Sequence, residues 1–366
     1  MPDQFVHSQR TSDPNSHPMI IVVGENPLAR AVCDYLGAIS VPDSLMSAHR
    51  FSGADVVVVA GYEANFAQRQ RMDPQARAHR IHDRAFRTVY DAAACGVERI
   101  IVLSSAMMYG TTLHTTRQLP ASRPDHLSWY DDSSPAAPPL TGFASDVALF
   151  EESFAQAVAQ LPTGIARPAV TVLRAAAIVG GEVDTLVSRH FEAPRLLVIR
   201  GVERRWQLCH VEDLASAVRE CVVNRVDGVV TVGAVRLENG QWVPDEQDSD
   251  VVAARAGTRV IAMSESAAFA MAQQLHRVGI LPAPSSDLSF AVFPWVVFPR
   301  RLLELGWRPR YSSLECIDVL AQATKGRVGV GGRRFGGRDA AAAGAAGAAV
   351  AALATAAVWK QARAHR

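Results

Sequence analysis

The sequence predicts an α/β chain with a doubly wound, mainly parallel, Rossmann-like sheet and a smaller C-terminal substrate lobe. Three observations predict it. Short runs dominated by β-branched apolar residues recur at 19–23, 55–60, 99–104, 170–174 and 195–199, and such runs mark strands buried on both faces. Helical stretches alternate with them, roughly 28–36, an amphipathic one ending at Gly96, and one from about Phe143; alternation of this kind argues for parallel strands with helices on both sides. A length of 366 residues, 49% of them hydrophobic, suffices for one large core.

Composition narrows the function classes. A formal charge of +1 gives no electrostatic reason to expect nucleic acid as a partner. The basic residues are almost all arginine, with Lys325 and Lys360 the only lysines. The five cysteines, Cys33, Cys95, Cys209, Cys221 and Cys316, contain no C-x-x-C pair, which fits buried thiols in a reducing compartment and no metal site. Residues 1–18 read as a flexible polar leader without the apolar run of a signal peptide, so a cytoplasmic location is expected.

Residues 19–325 form the expected folded region, with the substrate lobe from about 176. Residues 111–142 carry several prolines and read as a long loop. Asp213 is placed as the N-cap of a helix. Residues 326–338 look like a Gly/Arg linker and 339–366 like an Ala-rich tail. The uncharged stretch 340–359 is long enough to span a bilayer, but alanine and glycine contribute little transfer energy. A solvated or loosely packed Ala-rich helix is the favoured reading over membrane contact.

The first candidate site follows the first strand, at Val23-Gly24-Glu-Asn-Pro27-Leu-Ala-Arg30. A glycine there lets the backbone turn tightly and approach a pyrophosphate at a helix N-terminus. Gly24 satisfies that need, whereas Pro27 lacks a backbone donor. Arg30 supplies a charge that could attract phosphate, and a plain strand-to-helix turn is the alternative. Asp43 falls near the separation from Gly24 at which an acidic residue holds an adenosine ribose, with 39–41 as its short strand. A surface turn is the favoured reading of Asp43. Only a short segment separates this region from the strand at 55–60.

Further on stands Gly96-Val-Glu-Arg-Ile-Ile-Val-Leu-Ser-Ser-Ala-Met-Met-Tyr-Gly110. It is followed by Thr141-Gly-Phe-Ala-Ser-Asp-Val-Ala-Leu-Phe-Glu-Glu152, Val170-Thr-Val-Leu-Arg-Ala-Ala-Ala-Ile-Val-Gly180, Arg205-Trp-Gln-Leu-Cys-His-Val-Glu-Asp-Leu-Ala215 and Arg301-Leu-Leu-Glu-Leu-Gly-Trp-Arg-Pro309. Together these segments resemble the nucleotide-sugar epimerase/dehydratase branch of the extended short-chain dehydrogenases/reductases. They are most similar to an actinobacterial UDP-glucose epimerase-like group, some members of which also replace the catalytic tyrosine by phenylalanine.

The resemblance implies an NAD or NADP cofactor, a sugar-nucleotide substrate and a homodimer as one oligomeric option. It places Ser105 on the catalytic serine, Phe143 on the acid/base tyrosine and Val147 on the lysine that lowers that tyrosine's pKa. Phenylalanine has no proton to transfer, and valine neither donates a hydrogen bond nor carries charge. Pro27 and Arg30 stand on the second and third glycines of G-x-x-G-x-x-G, and Ala177 replaces an asparagine that contacts the sugar diphosphate. His210 and Asp213 match a turn that chiefly organises structure. Cofactor binding through Gly24, Arg30 and Asp43 is therefore expected to be weak or absent.

Two main functions follow. One is a binding or regulatory descendant with eroded cofactor and catalytic motifs. The alternative is an active NAD(P)-dependent epimerase/dehydratase using Ser105 with a relocated acid/base, Tyr130 or Tyr109. A membrane-tethered scaffold, resting on the Ala-rich tail alone, ranks last.

Overall fold

The computed structural model describes residues 18–324, apart from 46, 48, 61–71, 112–128, 138–140, 181, 194 and 278–283, together with 328–330 and 333–335. The leader through residue 17 and the Ala-rich segment 340–359 lie outside the described residues. Within the segment read as a linker, 328–330 pairs antiparallel with 333–335.

The first half of the chain builds the sheet. Its elements are β1 (Ile20–Val23), α1 (Pro27–Leu36), β2 (Ile39–Val41), β3 (Val56–Val59), α2 (Pro74–Ala94) and β4 (Arg99–Ser105). A 3-10 turn over Ala106–Tyr109 leads to β5 (Tyr130–Asp131), α3 (Phe143–Ala159) and β6 (Ala169–Ala175). The lobe begins with β7 (Ala177–Val179), α4 (Leu186–Phe191), β8 (Arg195–Ile199), β9 (Arg205–Trp206) and β10 (Leu208–His210). The chain then returns through α5 (Val211–Val223) to β11 (Gly228–Val232). It continues as β12 (Val235–Glu238), β13 (Gln241–Pro244), β14 (Gln247–Asp248), α6 (Ser249–Arg255) and β15 (Arg259–Met263). The remaining elements are α7 (Glu265–Arg277), α8 (Leu288–Val292), β16 (Val297–Phe298), α9 (Arg300–Glu304) and α10 (Ser313–Thr324).

Six strands form one parallel sheet in the order β11-β6-β4-β3-β1-β2. Alternate residues of its strands feed two separate cores. Val22, Val56, Val58, Ile101 and Leu103 pack with α1 and α5 on one face. Ile21, Val23, Val57, Val59, Ile100 and Val102 pack with α2 and the body of α3 on the other. That division is why these strands read as unbroken apolar runs: each residue is covered whichever way it points. The start of α3 crosses over, since Phe143 and Val147 belong to the first core while Phe150 and Phe154 belong to the second.

Beyond β1 the described residues contain one further strand, β2, whose Ile39 is 49% exposed at the edge. The lobe is made of small pairings: β7 with β10, β8 with β15, β9 with β14, and the hairpin β12–β13. The N-cap of α5 is His210, whose Nδ1 accepts from the Glu212 amide, and not Asp213 as the sequence led us to expect. Asp213 lies in the first turn instead, where its carboxylate accepts from the backbone amides of Arg310 and Tyr311.

Candidate functional site

Chain order reverses between β1 and β3, because the chain passes from β1 outward to β2 and then returns to the far side of β1. In open α/β sheets a crevice opens outside the strand ends at such a point. Gly24 and Ala60 stand there. Gly24 has φ +128, a conformation costly to any side chain, and a Cβ would lie 3.3 Å from Ala29 Cβ. Its amide donates to Val41 O at 3.0 Å, tying the end of β1 to β2.

The first turn of α1 offers little to an anion. Pro27 has no N–H, and the Ala29 amide donates to the Asn26 side chain at 2.8 Å. The Arg30 side chain is 60% exposed and lies 3.8 Å from Glu182.

Arg84, from the middle of α2, fills the crevice. Its Nε donates to Asp43 Oδ1 at 2.8 Å and its second guanidinium nitrogen to Ala60 O at 3.3 Å. The same nitrogen is 3.6 Å from where a Cβ of Gly24 would stand. One side chain thus touches the segments that follow β1, β2 and β3. Asp43 lies in the turn after β2, where it is engaged in a partly buried ion pair with Arg84.

Beside this lock, an open cleft runs between α2 and α3. Arg77, Arg80, Arg84 and Arg87 line it from α2, and Phe143, Asp146 and Phe150 from α3. The two Asp residues of its wall are paired, Asp43 with Arg84 and Asp146 with Arg77, each at 2.8 Å.

At the start of α3, Gly142 takes φ +65, and the Phe143 amide donates to Asp287 Oδ1 at 2.8 Å. Asp287 therefore supplies the acidic cap that the local sequence lacks. Phe143 is buried and lines the cleft, whereas Val147 is fully buried in the core.

Ser105 ends β4 and is buried, its Oγ accepting from the Met107 amide at 3.2 Å. Ser104 donates to Glu151, which is also held by Arg174 at 2.7 Å. The Arg174 guanidinium lies 4.9 Å from the Tyr109 ring centre, and Tyr109 stacks on Tyr130 at 5.2 Å. Burial pushes the Tyr109 hydroxyl up to about 12, against the opposing pull of Arg174. Tyr130 is buried, its amide fixed by Val296 O at 2.8 Å.

His210 stacks on Tyr311 at 3.7 Å, and burial lowers its pKa. With Asp213 binding two amides, both residues of this turn organise backbone.

The structure thus brings Gly24 and Asp43 together through a third residue, and places Phe143 on the adjoining cleft. Arg30 lies apart from the Arg84 contacts. Arg84, Glu151 and Asp287 escaped the sequence reading. One signal existed for the first: Arg77, Arg80, Arg84 and Arg87 recur at helical spacing.

No family model matches the chain. Uncharacterised proteins of Mycobacterium tuberculosis and Mycobacterium bovis are 30% identical over 146 residues, which is 39% of this chain and 35% of theirs. The match thus spans about a third of the length of those relatives. Among solved structures, UDP-glucose 4-epimerase of Thermus thermophilus in complex with NAD superposes with a TM-score of 0.56 and 15% identity, over 84% of this chain and 99% of that one. MoeE5 in complex with UDP-glucuronic acid and NAD gives 0.57 and 16%, over 84% and 99%. The chain has the extended short-chain dehydrogenase/reductase fold, in the form adopted by NAD-dependent nucleotide-sugar epimerases.

Proposed function

We propose that this protein is a non-redox descendant of the epimerase/dehydratase fold, a small-molecule binding or regulatory protein that keeps a cleft without a working dinucleotide seat. One observation carries this reading: Arg84 bridges Asp43 and Ala60 across the Gly24 turn. A dinucleotide laid over that turn needs the backbone surface that Arg84 covers, and needs the Asp43 carboxylate for its ribose. Displacing Arg84 breaks a half-buried ion pair, and binding would have to offset that loss. Weak or absent affinity for NAD and NADP follows.

The chemistry of the neighbouring groups supports the same reading. Epimerisation through a keto-sugar needs a base to take a hydroxyl proton as hydride leaves carbon. Phe143 and Val147 supply none. Tyr109, with its pKa pushed up to about 12, is a poor proton acceptor near neutrality. Tyr130 is buried in the stack against it. A relocated acid/base at Tyr130 with Ser105 is the second enzyme-level reading, and it requires that stack to open.

Calorimetric titration with NAD, NADP and a panel of UDP- and GDP-sugars tests the proposal. Little or no dinucleotide binding is expected. Dinucleotide carried through purification, or a micromolar Kd, overturns it.

A further inference from the structure

We propose that His210 is an acid-operated latch: on taking up a proton it leaves the start of α5, takes the Glu212 carboxylate and frees the Tyr311 side chain. The proposal stands apart from the question of dinucleotide binding. Three segments meet on this buried imidazole. Its own strand β10 runs beside β7, with His210 opposite Val179. Gly180, next along, takes φ +133, and a Cβ there would lie 3.3 Å from the imidazole Nε2. The Tyr311 ring stacks on the imidazole at 3.7 Å between centres.

What the ring caps keeps it neutral. The Glu212 amide donates to Nδ1 at 3.3 Å. An amide only donates, so Nδ1 is the bare nitrogen and the single proton sits on Nε2. A second proton has to go on Nδ1. There it would face the amide donor to donor, and it would set a cation at the positive end of a helix. The charged groups acting on the ring are Glu212 from its own helix and Arg310 from the segment facing it, while Val179 and Gly180 bring no ionisable side chain. Asp213 is committed to the Arg310 and Tyr311 amides, so Glu212 is the carboxylate left to receive an imidazolium. Glu212 Oε2 now accepts from the Tyr311 hydroxyl at 3.1 Å and lies 3.5 Å from Arg310. Turning to the imidazolium takes it from Tyr311. The Asp213 bonds meanwhile keep the 310–311 backbone in place. Burial lowers the His210 pKa, so the unfolded chain takes up this proton first as pH falls. The contribution to stability is whole above 6.5, the ordinary value, and is lost as pH falls through the folded pKa.

Nuclear magnetic resonance of the full chain, isotope-labelled at histidine, tests the latch. His210→Asn identifies the signal and keeps a side chain able to cap the helix. Should that variant fail to fold, the signal that loses its upfield shift in Tyr311→Leu identifies His210 instead. Above neutral pH the His210 ring should carry an upfield shift from the stacked Tyr311 ring. It should titrate below the ordinary 6.5, and the upfield shift should vanish in the same step. Glu212→Gln keeps the capped amide and removes the carboxylate, so it should move that titration to lower pH. Tyr311→Phe keeps the ring and releases Glu212, so it should move the titration to higher pH. His210→Asn should also make the acid fall of the thermal midpoint shallower than in the unmodified protein. A His210 ring that keeps its upfield shift when protonated overturns the latch. A titration unmoved by Glu212→Gln overturns it as well, and so does an acid fall in His210→Asn that parallels the unmodified protein.

Discussion

Arg84 Nε stands 2.8 Å from Asp43 Oδ1, and this pair closes the switch point of the sheet from the α2 side. Both side chains are partly shielded, at 13% and 31% exposure. The pair is therefore worth more than a surface contact, and less than a fully buried one. Arg84→Ala should cost about 1.5 kcal/mol, the lower end for hydrogen bonds to charged groups. It also uncovers the Gly24 turn. Affinity for NAD should rise in the variant while the urea midpoint falls. Equal NAD affinity in the two proteins would show that Arg84 does not guard the turn.

Gly142 offers a sharper stability test. A Cβ there would clash with Asp287 Oδ1, at a φ of +65 that L residues adopt only with strain. Gly142→Ala must displace the carboxylate that caps α3. Strain and the lost cap add to about 2–4 kcal/mol. Chemical denaturation measures it, and a loss below about 0.5 kcal/mol would show that Asp287 does not hold the helix start.

The fold was legible because the strands are apolar on both faces. The run Val56–Val59, with 5% exposure or less throughout, can be little else in a chain of this length. The short strand at Ile39–Val41 was legible too, from its spacing to Asp43. The lock on the switch point was not. Arg84 lies 41 residues from Asp43 and on a helix whose start the sequence reading left open. Periodicity shows that an arginine faces inward with its neighbours, but not which carboxylate it meets. Asp287 was hidden for the same reason, 144 residues from the amide it caps. The N-cap at His210 was missed because an acidic residue three positions on matched the usual capping preference more closely.

Tyr109 predicts alkaline behaviour. Its folded pKa is raised by burial to about 12, above the ordinary value of 10.0. A raised folded pKa means that the unfolded chain loses this proton first as pH increases. The contribution to stability is whole below about pH 10 and is lost as pH rises through about 12. Tyr109→Phe should flatten the alkaline fall in thermal midpoint over that window. Its neutral-pH stability should not drop, because the Tyr109 hydroxyl is buried without a hydrogen-bond partner among the described residues. An unchanged alkaline slope would place the titration elsewhere.

Ser105→Ala separates capping from chemistry. The hydroxyl accepts from the Met107 amide at the start of the 3-10 turn, and losing such a cap costs roughly 0.5–2 kcal/mol. We expect that loss of stability. We also expect Ser105→Ala to change sugar-nucleotide binding more than any turnover. A serine hydroxyl can donate one hydrogen bond to a developing oxyanion, but turnover also needs a base to take the hydroxyl proton, and Phe143 and Val147 provide none. Turnover by the unmodified protein that vanishes in Ser105→Ala would contradict this.

Restoring the missing pair is the most demanding test, because two obstacles stand in series. Phe143→Tyr places a hydroxyl at the cleft, where Phe143 already lies against the space lined by Arg77 and Arg84. Arg77 is paired with Asp146 and Arg84 with Asp43, so neither replaces the missing lysine, and a tyrosine of ordinary pKa near ~10 transfers protons poorly at neutral pH. Val147→Lys supplies the cation but puts an ammonium where valine has no exposure at all. Burial there disfavours the charged form, so the lysine should titrate low and the protein should lose several kcal/mol of stability, of order 2–5. The double variant still faces Arg84 over the Gly24 turn. Hydride transfer, followed through the absorbance of reduced nicotinamide, should therefore be absent from Phe143→Tyr with Val147→Lys. It should first become measurable when Arg84→Ala is added to that pair. If instead the unmodified protein epimerises a sugar nucleotide at an ordinary rate, and Tyr130→Phe abolishes it, the acid/base has moved onto β5. The Tyr109–Tyr130 stack would then be a resting state of a working active site.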